Sequence, residues 1–441
     1  MSRKRKKLPA EPVNVTIESL SHEGRGITHI NGKTVFVDEA LPGEQVIIQF
    51  TRQHSRFNEA KIVEIIQPSP ERIPARCDAY AICGGCSFQH ATSQYQIEHK
   101  QHIMLEQLRH NGGVTPTEVL PPLTGPAWGY RRRARLGVKY VEKKQKVLVG
   151  FREKRSSFLA DIKRCEVLHP SVGTILEDLQ VLISQLSIYQ QLPQIEVAVA
   201  DNMTVLVFRC LNELSDTDIH LLKEFENRNN IRVHLQPGGI DTVKQLSPDN
   251  TQTLVYSLDE YGIDFEFLPT DFIQINADIN KTMINRALLL LEPDRQENVL
   301  DLFCGLGNFS LPLAKCFKHV TGIEGDAGLI ERASHNARRN NIENIEFHVA
   351  DLAVPELQAS FINREYTKIL LDPPRAGAKE ILEQLSFKNT KRIVYISCNP
   401  ATLARDAGIL VKTKGFNLQK TGVMDMFPHT SHIESIALFT R

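Results

Sequence analysis

The sequence contains no long apolar run and carries no net charge. No segment reaches the about 20 consecutive apolar residues that span a bilayer, and the basic start from Met1 to Lys7 is not followed by an apolar stretch. These absences exclude a transmembrane helix and a secretory signal peptide, so we expect a cytoplasmic protein with no membrane partner. The formal net charge of +0 gives, taken alone, no sign of a polyanionic partner.

The charges are unevenly distributed along the chain. Residues 1–170 contain 27 Lys and Arg against 17 Asp and Glu, whereas residues 171–441 contain 25 against 35. A polyanion would be attracted to the first part, because Lys and Arg contacts to phosphate release condensed counterions. A solvated charged surface would give the same asymmetry, so charge alone leaves both interpretations open.

The length of 441 residues exceeds what one hydrophobic core supports, so several domains are expected. In the first part, short alternating runs such as Val13–Ile17 and Thr34–Val37 are separated by glycines. Several short strands without a helical period predict a small β-barrel over residues 8–68. Residues 21–27 and 40–44 resemble the TRAM domain, an RNA-binding barrel of RNA-modifying enzymes. An ordinary small barrel with another role is the alternative.

A central α+β domain is predicted over residues 69–268. Prolines at 68, 70 and 74 mark its start, since proline interrupts helices and central strands. Strand-like runs over 195–199 and 204–208 alternate with helical candidates such as 172–186. A further helix is predicted over Thr92–Leu108, because Tyr95, His99, His102, Leu105 and Leu108 share one side at helical spacing.

From about residue 295 to the end, strands, glycine-rich turns and helices alternate strictly. This order predicts a parallel sheet covered on both faces, in a Rossmann-like α/β domain over residues 269–441. The predicted strands are 298–303, 319–323, 345–349, 368–371, 392–397 and 436–439, and the predicted helices begin at 310 and span 327–339.

A ligand site is expected where the first of these strands meets its helix. The segment Asp301–Phe309 contains two glycines that let the backbone approach a ligand. Glu324 follows about 20 residues later at the tip of the next strand, where a carboxylate binds ribose hydroxyls. Asp351 ends the third strand, next to where an adenine would lie. With Asp372 this order resembles the class I methyltransferases, although a dinucleotide oxidoreductase would share the glycines and the first acid.

Cys398 stands at the end of an apolar strand and before Pro400, on the edge where such domains carry out chemistry. A buried structural cysteine is the alternative, and we expect that role for Cys210, Cys304 and Cys316. Glu434 follows a turn and precedes the last apolar strand. On spacing alone it would be interpreted as a solvated loop acid.

Five segments together resemble the RNA 5-methyluridine methyltransferase family, and the similarity covers nearly the whole chain. They are residues 272–276, 301–305, 372–375, 397–400 and 432–434. The resemblance implies that Cys398 adds to C6 of a uracil, that S-adenosylmethionine donates a methyl group to C5, and that Glu434 removes the C5 proton. It also implies contacts to the methyl donor and the target base from Gln274, Phe303, Asn308, Glu324, Asp351 and Asp372.

Three of the eight cysteines, Cys77, Cys83 and Cys86, are crowded around a Gly84–Gly85 bend. We interpret them as metal or cluster ligands in a reducing compartment, with Cys165 as the fourth ligand. Zinc and an iron–sulfur cluster both accept four thiolates, so the spacing alone does not identify the metal. Resemblance to one branch of the same family implies a 4Fe-4S cluster with a structural role.

An RNA partner is expected from basic residues interleaved with aromatic ones in the segment 130–152, a pattern that suits single-stranded RNA. A solvated charged hairpin is the alternative. The barrel and the four cysteines favour the family branch that acts on uracil 1939 of 23S rRNA. We expect the enzyme to be a monomer. A tRNA or dual-site methyltransferase and an inactive RNA-binding protein are the competing hypotheses.

Overall fold

The computed structural model of the chain describes residues 11–247, 252–354, 357 and 360–441. The N-terminal part contains strands β1 (Val13–Thr16), β2 (Ser19–Leu20), β3 (Gly26–Ile30), β4 (Lys33–Asp38), β5 (Gln45–Gln53) and β6 (Phe57–Gln67). They form one sheet in the order β1-β5-β6-β4-β3-β2. Because only two residues separate β1 from β2, the sheet closes on itself around Val35, Val37, Val46 and Ile48, which are fully buried. The predicted barrel is therefore confirmed.

The next helix, α1 (Ser93–Gln107), begins after Thr92, whose hydroxyl accepts a hydrogen bond from the Tyr95 amide at 3.2 Å. The predicted helix is confirmed, and of the five residues predicted to share one side only His102 is exposed, whereas Leu108 is fully buried. The prediction missed the residues of the helix that are most buried, which are Gln96, Ile97, Lys100 and Met104. Two of these are polar, and their partners lie more than 300 residues away in sequence, so no local pattern could reveal them.

The central part forms the predicted α+β arrangement. After β7 (Glu118–Val119), its strands are β8 (Arg133–Val141), β9 (Lys146–Gly150), β10 (Gln194–Val199), β11 (Thr204–Arg209), β12 (Arg232–Gln236) and β13 (Lys244–Gln245). β8 to β13 form a sheet in the order β13-β12-β11-β10-β8-β9. The helices are α2 (Pro170–Gly173), α3 (Leu176–Gln185) and α4 (Asp216–Asn229), so the helix predicted over 172–186 is divided in two.

The C-terminal part begins with a two-stranded sheet of β14 (Leu254–Leu258) and β15 (Ile263–Phe267). Further strands are β16 (Asn298–Leu302), β17 (His319–Glu324), β18 (Ile345–Val349), β19 (Lys368–Leu371), β20 (Arg392–Ser397), β21 (Asn417–Met424) and β22 (Glu434–Thr440). The helices are α5 (Ala277–Leu291), α6 (Ser310–Ala314), α7 (Ala327–Arg339), α8 (Lys379–Gln384) and α9 (Pro400–Gly408).

These strands form an eight-stranded sheet in the order β18-β17-β16-β19-β20-β22-β21-β7. The pairs from β18 to β20 are parallel, as predicted, but β22 runs antiparallel to β20 and to β21. α1 also contributes Ile97 and Met104 to the core of this sheet. The segment from α1 to β7 thus packs on the C-terminal sheet, although it precedes the central sheet in sequence.

Among the residues that the structure describes, none of the helices combines the length and the apolar character needed to cross a membrane.

Candidate active site

The carboxyl ends of the five parallel strands meet at one edge of the C-terminal sheet. This is the edge at which doubly wound domains bind their ligands. Each of the five strands ends at, or is followed within two residues by, a side chain that the sequence singled out. They are Phe303, Glu324, Asp351, Asp372 and Cys398.

Cys398 and Glu434 lie next to each other because of the pairing between β20 and β22. Ser397 pairs with Ser435 in the antiparallel ladder, so the residue after Ser397 lies beside the residue before Ser435. The Ser435 hydroxyl also donates a hydrogen bond to the Ser397 carbonyl at 3.2 Å. Cys398 is half-buried, whereas Glu434 is only 5% exposed. The predicted nucleophile and base are therefore neighbours at the ends of adjacent strands.

The ionisable groups around Cys398 influence one another. Burial raises the pKa of Cys398 to about 11, the charges of Glu434 and Asp372 act in the same direction, and Arg375 opposes them. Burial raises the pKa of Asp372 to about 7, and it raises the pKa of Glu434 well above its usual value. Groups with such perturbed pKa values in one cleft are typical of acid–base chemistry.

Arg375 links the three loops that form this pocket. Its carbonyl accepts hydrogen bonds from Asn399 Nδ2 at 3.0 Å and from Thr402 Oγ1 at 3.3 Å. Its guanidinium lies 3.0 Å from His432 Nδ1. Asn399 also caps α9 through the Ala401 amide. Arg375 had no predicted role, although its position in the Asp372–Arg375 segment was a signal.

The glycine-rich loop after β16 has an unusual backbone conformation. Phe303, Gly305 and Gly307 have φ angles of 65°, 54° and 87°. Glycine adopts such angles without strain, whereas a phenylalanine there is held by its surroundings, as is common at functional sites. A Cβ at Gly305 would meet nothing within 4 Å, so the loop leaves room on that side. Glu324 accepts hydrogen bonds from the Gly305 amide at 3.2 Å and the Gly325 amide at 2.7 Å.

Asp301 lies under the same loop and is fully buried. Burial raises its pKa to about 8, and the charges of Asp372 and Glu324 add to this effect while the Ser310 hydroxyl, which donates to Oδ2, opposes it. Its Oδ1 has no hydrogen-bond partner among the described residues. Asp301 lies in the predicted glycine-loop segment but had no predicted function of its own.

Gln274 and Asn308 lie on the side of the site formed by α5 and β14. Asn308 exchanges two hydrogen bonds with Asn280, at 2.9 and 3.0 Å, and accepts a third from Tyr256 at 3.1 Å. Gln274 lines a small cavity together with Tyr256 and Asn280. At the other end of the site, Asp351 is exposed and accepts a hydrogen bond from the Ala353 amide at 2.9 Å.

The four predicted ligand cysteines, Cys77, Cys83, Cys86 and Cys165, line one small cavity. Within the described residues, however, no group of three or more His, Cys, Asp or Glu side chains is gathered to hold a metal ion. A zinc site needs four sulfurs at about 2.3 Å from one atom. In a cubane cluster each thiolate binds a different iron corner. The four thiols line the same cavity, and the metal that they bind stays a prediction.

Several cations of the predicted RNA-binding segment are paired with acids. Arg132 pairs with Asp201, Arg135 with Glu196 at 2.9 Å, and Lys146 with Asp161 at 2.8 Å. Such ion pairs at the surface contribute at most about 1 kcal/mol to the free energy of unfolding. An RNA phosphate can therefore replace the acid as partner of the cation with little loss of stability. Lys139, Lys143 and Arg152 are exposed on the same part of the chain.

Comparison with known proteins identifies the family. The family model described as tRNA (Uracil-5-)-methyltransferase matches residues 93–441, and the TRAM domain model matches residues 6–63. Two curated relatives are both named 23S rRNA (uracil(1939)-C(5))-methyltransferase RlmD. The one from Hahella chejuensis is 49% identical over 100% of both chains. The one from Nitrosococcus oceani is 52% identical over 99% of this chain and 98% of its own.

A solved structure supports the same fold. It is the tRNA (uracil-54, C5)-methyltransferase of Pyrococcus abyssi in complex with S-adenosyl-L-homocysteine, which is 23% identical and matches with a TM-score of 0.73 over 97% of this chain and 100% of its own. The architecture of a barrel, a central domain and a class I methyltransferase domain is thereby confirmed. The protein belongs to the tRNA (uracil-5-)-methyltransferase family.

Proposed function

We propose that this chain transfers a methyl group from S-adenosylmethionine to carbon 5 of uridine 1939 in 23S rRNA. The observation that carries the proposal is the placement of Cys398 beside Glu434, at the edge where the glycine loop and Glu324 also lie. Two relatives that are 49% and 52% identical over nearly their whole length are named for this activity.

S-adenosylmethionine supplies an electrophilic methyl group when it is bound. Its binding residues on this chain are Gln274, Phe303, Asn308, Glu324, Asp351 and Asp372. Glu324 is the ribose acceptor, since it stands at the end of β17 against the Gly305 amide. The open space beside Gly305 lets the backbone approach the ligand closely, as glycine does in other nucleotide sites.

Cys398 carries out the first step. Its thiolate adds to C6 of the uracil, and the π electrons of the C5–C6 double bond move toward O4, which leaves C5 nucleophilic enough to accept the methyl group. Arg375 favours loss of the thiol proton, because its positive charge lowers the pKa of Cys398. Asp372 binds the uracil edge and stabilises the developing enolate.

Glu434 carries out the last step. Its carboxylate accepts the proton from C5, the electrons of that C–H bond restore the C5–C6 double bond, and the bond between C6 and the Cys398 sulfur breaks. The free thiolate and 5-methyluridine result. Burial raises the pKa of Glu434, which makes its carboxylate a stronger base than an exposed one.

The remaining residues bind the cluster and the RNA. Cys77, Cys83, Cys86 and Cys165 hold a 4Fe-4S cluster, whose role is structural because methyl transfer needs no electron. The barrel and the basic segment 130–152 bind the RNA backbone, and the target uridine leaves its stack to reach Cys398. The enzyme acts as a monomer in the cytoplasm, where its rRNA substrate is made.

The substrate is tested with purified chain, labelled S-adenosylmethionine and two RNAs. We expect label in a 23S rRNA fragment that contains uridine 1939 and no label when that uridine is replaced by cytidine. The second candidate substrate is a tRNA, because the matched solved structure is named as a tRNA methyltransferase. Label in tRNA alone would replace the rRNA assignment, and label in neither RNA would favour an inactive RNA-binding protein.

A further inference from the structure

The loop of residues 425–433, which leads from β21 into Glu434, is largely buried although it contains no helix or strand. Asp425, Met426, His429, Thr430 and Ile433 are each less than 8% exposed. Most loops run over the surface, because the backbone amides and carbonyls of a buried loop need hydrogen-bond partners within the protein. The partners of this loop therefore determine its position.

Two side chains of α1 provide such partners. Lys100 Nζ donates to Asp425 Oδ1 at 2.8 Å and to the Phe427 carbonyl at 2.9 Å. Gln96 Oε1 accepts a hydrogen bond from the His429 amide at 2.8 Å. Gln96 and Lys100 are 1% and 2% exposed, so neither can exchange these contacts for water. Removal of either side chain leaves buried polar groups unpaired.

The segment just after Cys86 holds the same loop from another direction. The amides of Ser87 and Phe88 donate to the His429 carbonyl at 2.8 and 3.0 Å. Gln96 Nε2 in turn donates to the Phe88 carbonyl at 3.0 Å and to the Ala91 carbonyl at 2.8 Å. Gln96 is thus the side chain that connects α1, the cysteine segment and the loop before Glu434.

His429, at the centre of these contacts, has a backbone conformation that needs support. Its φ angle is 64°, in the left-handed region that residues other than glycine seldom adopt. Its ring stacks on Trp128 with centroids 3.8 Å apart, and the Tyr130 hydroxyl donates to the preceding carbonyl of Pro428 at 3.0 Å. Such a conformation persists only where its surroundings hold it.

We infer that Gln96 and Lys100 are positioning residues that hold the loop 425–433 and thereby aim the Glu434 carboxylate at the C5 proton. The inference rests on the proposed function, in which Glu434 acts only after Cys398 has added to the base and the methyl group has been transferred. Loosening the loop should therefore slow product release much more than it slows adduct formation.

The experiment separates these two steps with two forms of the 23S rRNA fragment. An RNA with 5-fluorouridine at the target has no C5 proton, so it reports only adduct formation and methyl transfer. The ordinary uridine RNA reports the whole reaction. For Gln96→Leu we expect trapping of the fluorinated RNA at close to the rate of the unchanged chain. With uridine RNA, release should slow roughly ten- to hundredfold, the effect of a misplaced catalytic group, and the covalent adduct should accumulate.

Gln94→Leu is the matched control, because Gln94 lies two residues earlier on α1, is exposed, and donates from its side chain to Glu98 Oε1 on the same helix at 2.6 Å. Both rates should stay unchanged in this variant. Lys100→Arg provides a second test if Gln96→Leu fails to fold. It keeps the positive charge beside Asp425 but displaces the donor from the Phe427 carbonyl, so the same selective slowing is expected, to a smaller extent.

Three results are decisive. Equal slowing with both RNAs would mean that Gln96 and Lys100 only stabilise the fold, and the inference would be overturned. Unchanged release in both variants would overturn it as well. If the unchanged chain does not trap the fluorinated RNA at all, the proposed covalent function fails rather than the positioning role.

Discussion

Cys398 and the four cysteines of the cavity are thiols that are withdrawn from water, and their surroundings differ. Burial raises the pKa of Cys398 to about 11 and the pKa of Cys86 to about 12. Cys398, however, lies near two carboxyl groups and a guanidinium, whereas the next charges that affect Cys86 are those of the other three cysteines. Burial alone therefore does not distinguish a nucleophile from a ligand.

The neighbours make the distinction. Carboxyl groups with raised pKa values can exchange protons with a substrate, and a nearby cation can stabilise a thiolate. Glu166 and Arg164 also line the cavity of the four cysteines, but that cavity gathers four thiols, which together can bind iron or another soft metal. We propose group transfer for Cys398 and metal binding for the other four cysteines, and each proposal can be tested by substitution.

The largest effect is expected for Cys398→Ala. Without the thiol no covalent adduct can form, so methyl transfer to the rRNA fragment should fall by more than about a thousandfold. Binding of S-adenosylmethionine, measured by calorimetry, should stay nearly unchanged, because the thiol contacts the base. Cys316→Ala, which removes another partly buried thiol, serves as the control. Substantial turnover by Cys398→Ala would rule out covalent catalysis.

Glu434→Gln should leave the first half of the reaction intact. Proton removal by a positioned base contributes roughly a hundred- to ten-thousandfold, so release should slow by that amount. A methylated protein–RNA adduct should then survive denaturing electrophoresis. Glu343→Gln, at an exposed site, should behave like the unchanged chain. Rapid release of methylated RNA by Glu434→Gln would assign the base to another residue.

The sequence predicted the parallel strands well because their apolar runs and glycine turns are local signals. It could not show that Glu434 lies beside Cys398, because that follows from the pairing of β20 with β22 across more than 30 residues. The family resemblance supplied that pair, and the structure supplies its geometry. The buried side chains of α1 were missed for the same reason, since Gln96 and Lys100 read as surface residues until their distant partners are known.

Cys83→Ala tests the proposed metal-binding role of the four cysteines that line the cavity. Protein purified without oxygen should contain about four irons per chain, and the variant should lose most of this iron together with soluble yield or RNA affinity. Its folded fraction should still bind S-adenosylmethionine, because none of the four cysteines belongs to the glycine loop or to Glu324. Cys210→Ala, a buried thiol outside the cavity, should keep its iron. Zinc instead of iron in oxygen-free protein would contradict the cluster assignment.

The smallest effect is expected for Arg375→Met, which tests whether charge at Cys398 matters beyond burial. The guanidinium opposes the rise of the Cys398 pKa, so its removal should raise that pKa further. At any pH below the Cys398 pKa the variant then has a smaller fraction of thiolate. Its trapping rate therefore rises with pH at higher pH values than in the unchanged chain. Because Arg375 is exposed, such a contact contributes at most about 1 kcal/mol, which corresponds to roughly a two- to fivefold slower rate near neutral pH.

The pH profile of trapping with 5-fluorouridine RNA gives the measurement for Arg375→Met, since it depends on Cys398 and not on proton removal by Glu434. Asp372, whose pKa burial raises to about 7, is already ionised in the range where Cys398 loses its proton, and its negative charge opposes formation of the thiolate. Arg392→Met removes a cation from the other end of β20 and should leave the profile unchanged. A shift of the Arg375→Met profile to lower pH would show that the guanidinium does not stabilise the thiolate. Burial, Glu434 and Asp372 would then determine the reactivity of Cys398 without Arg375.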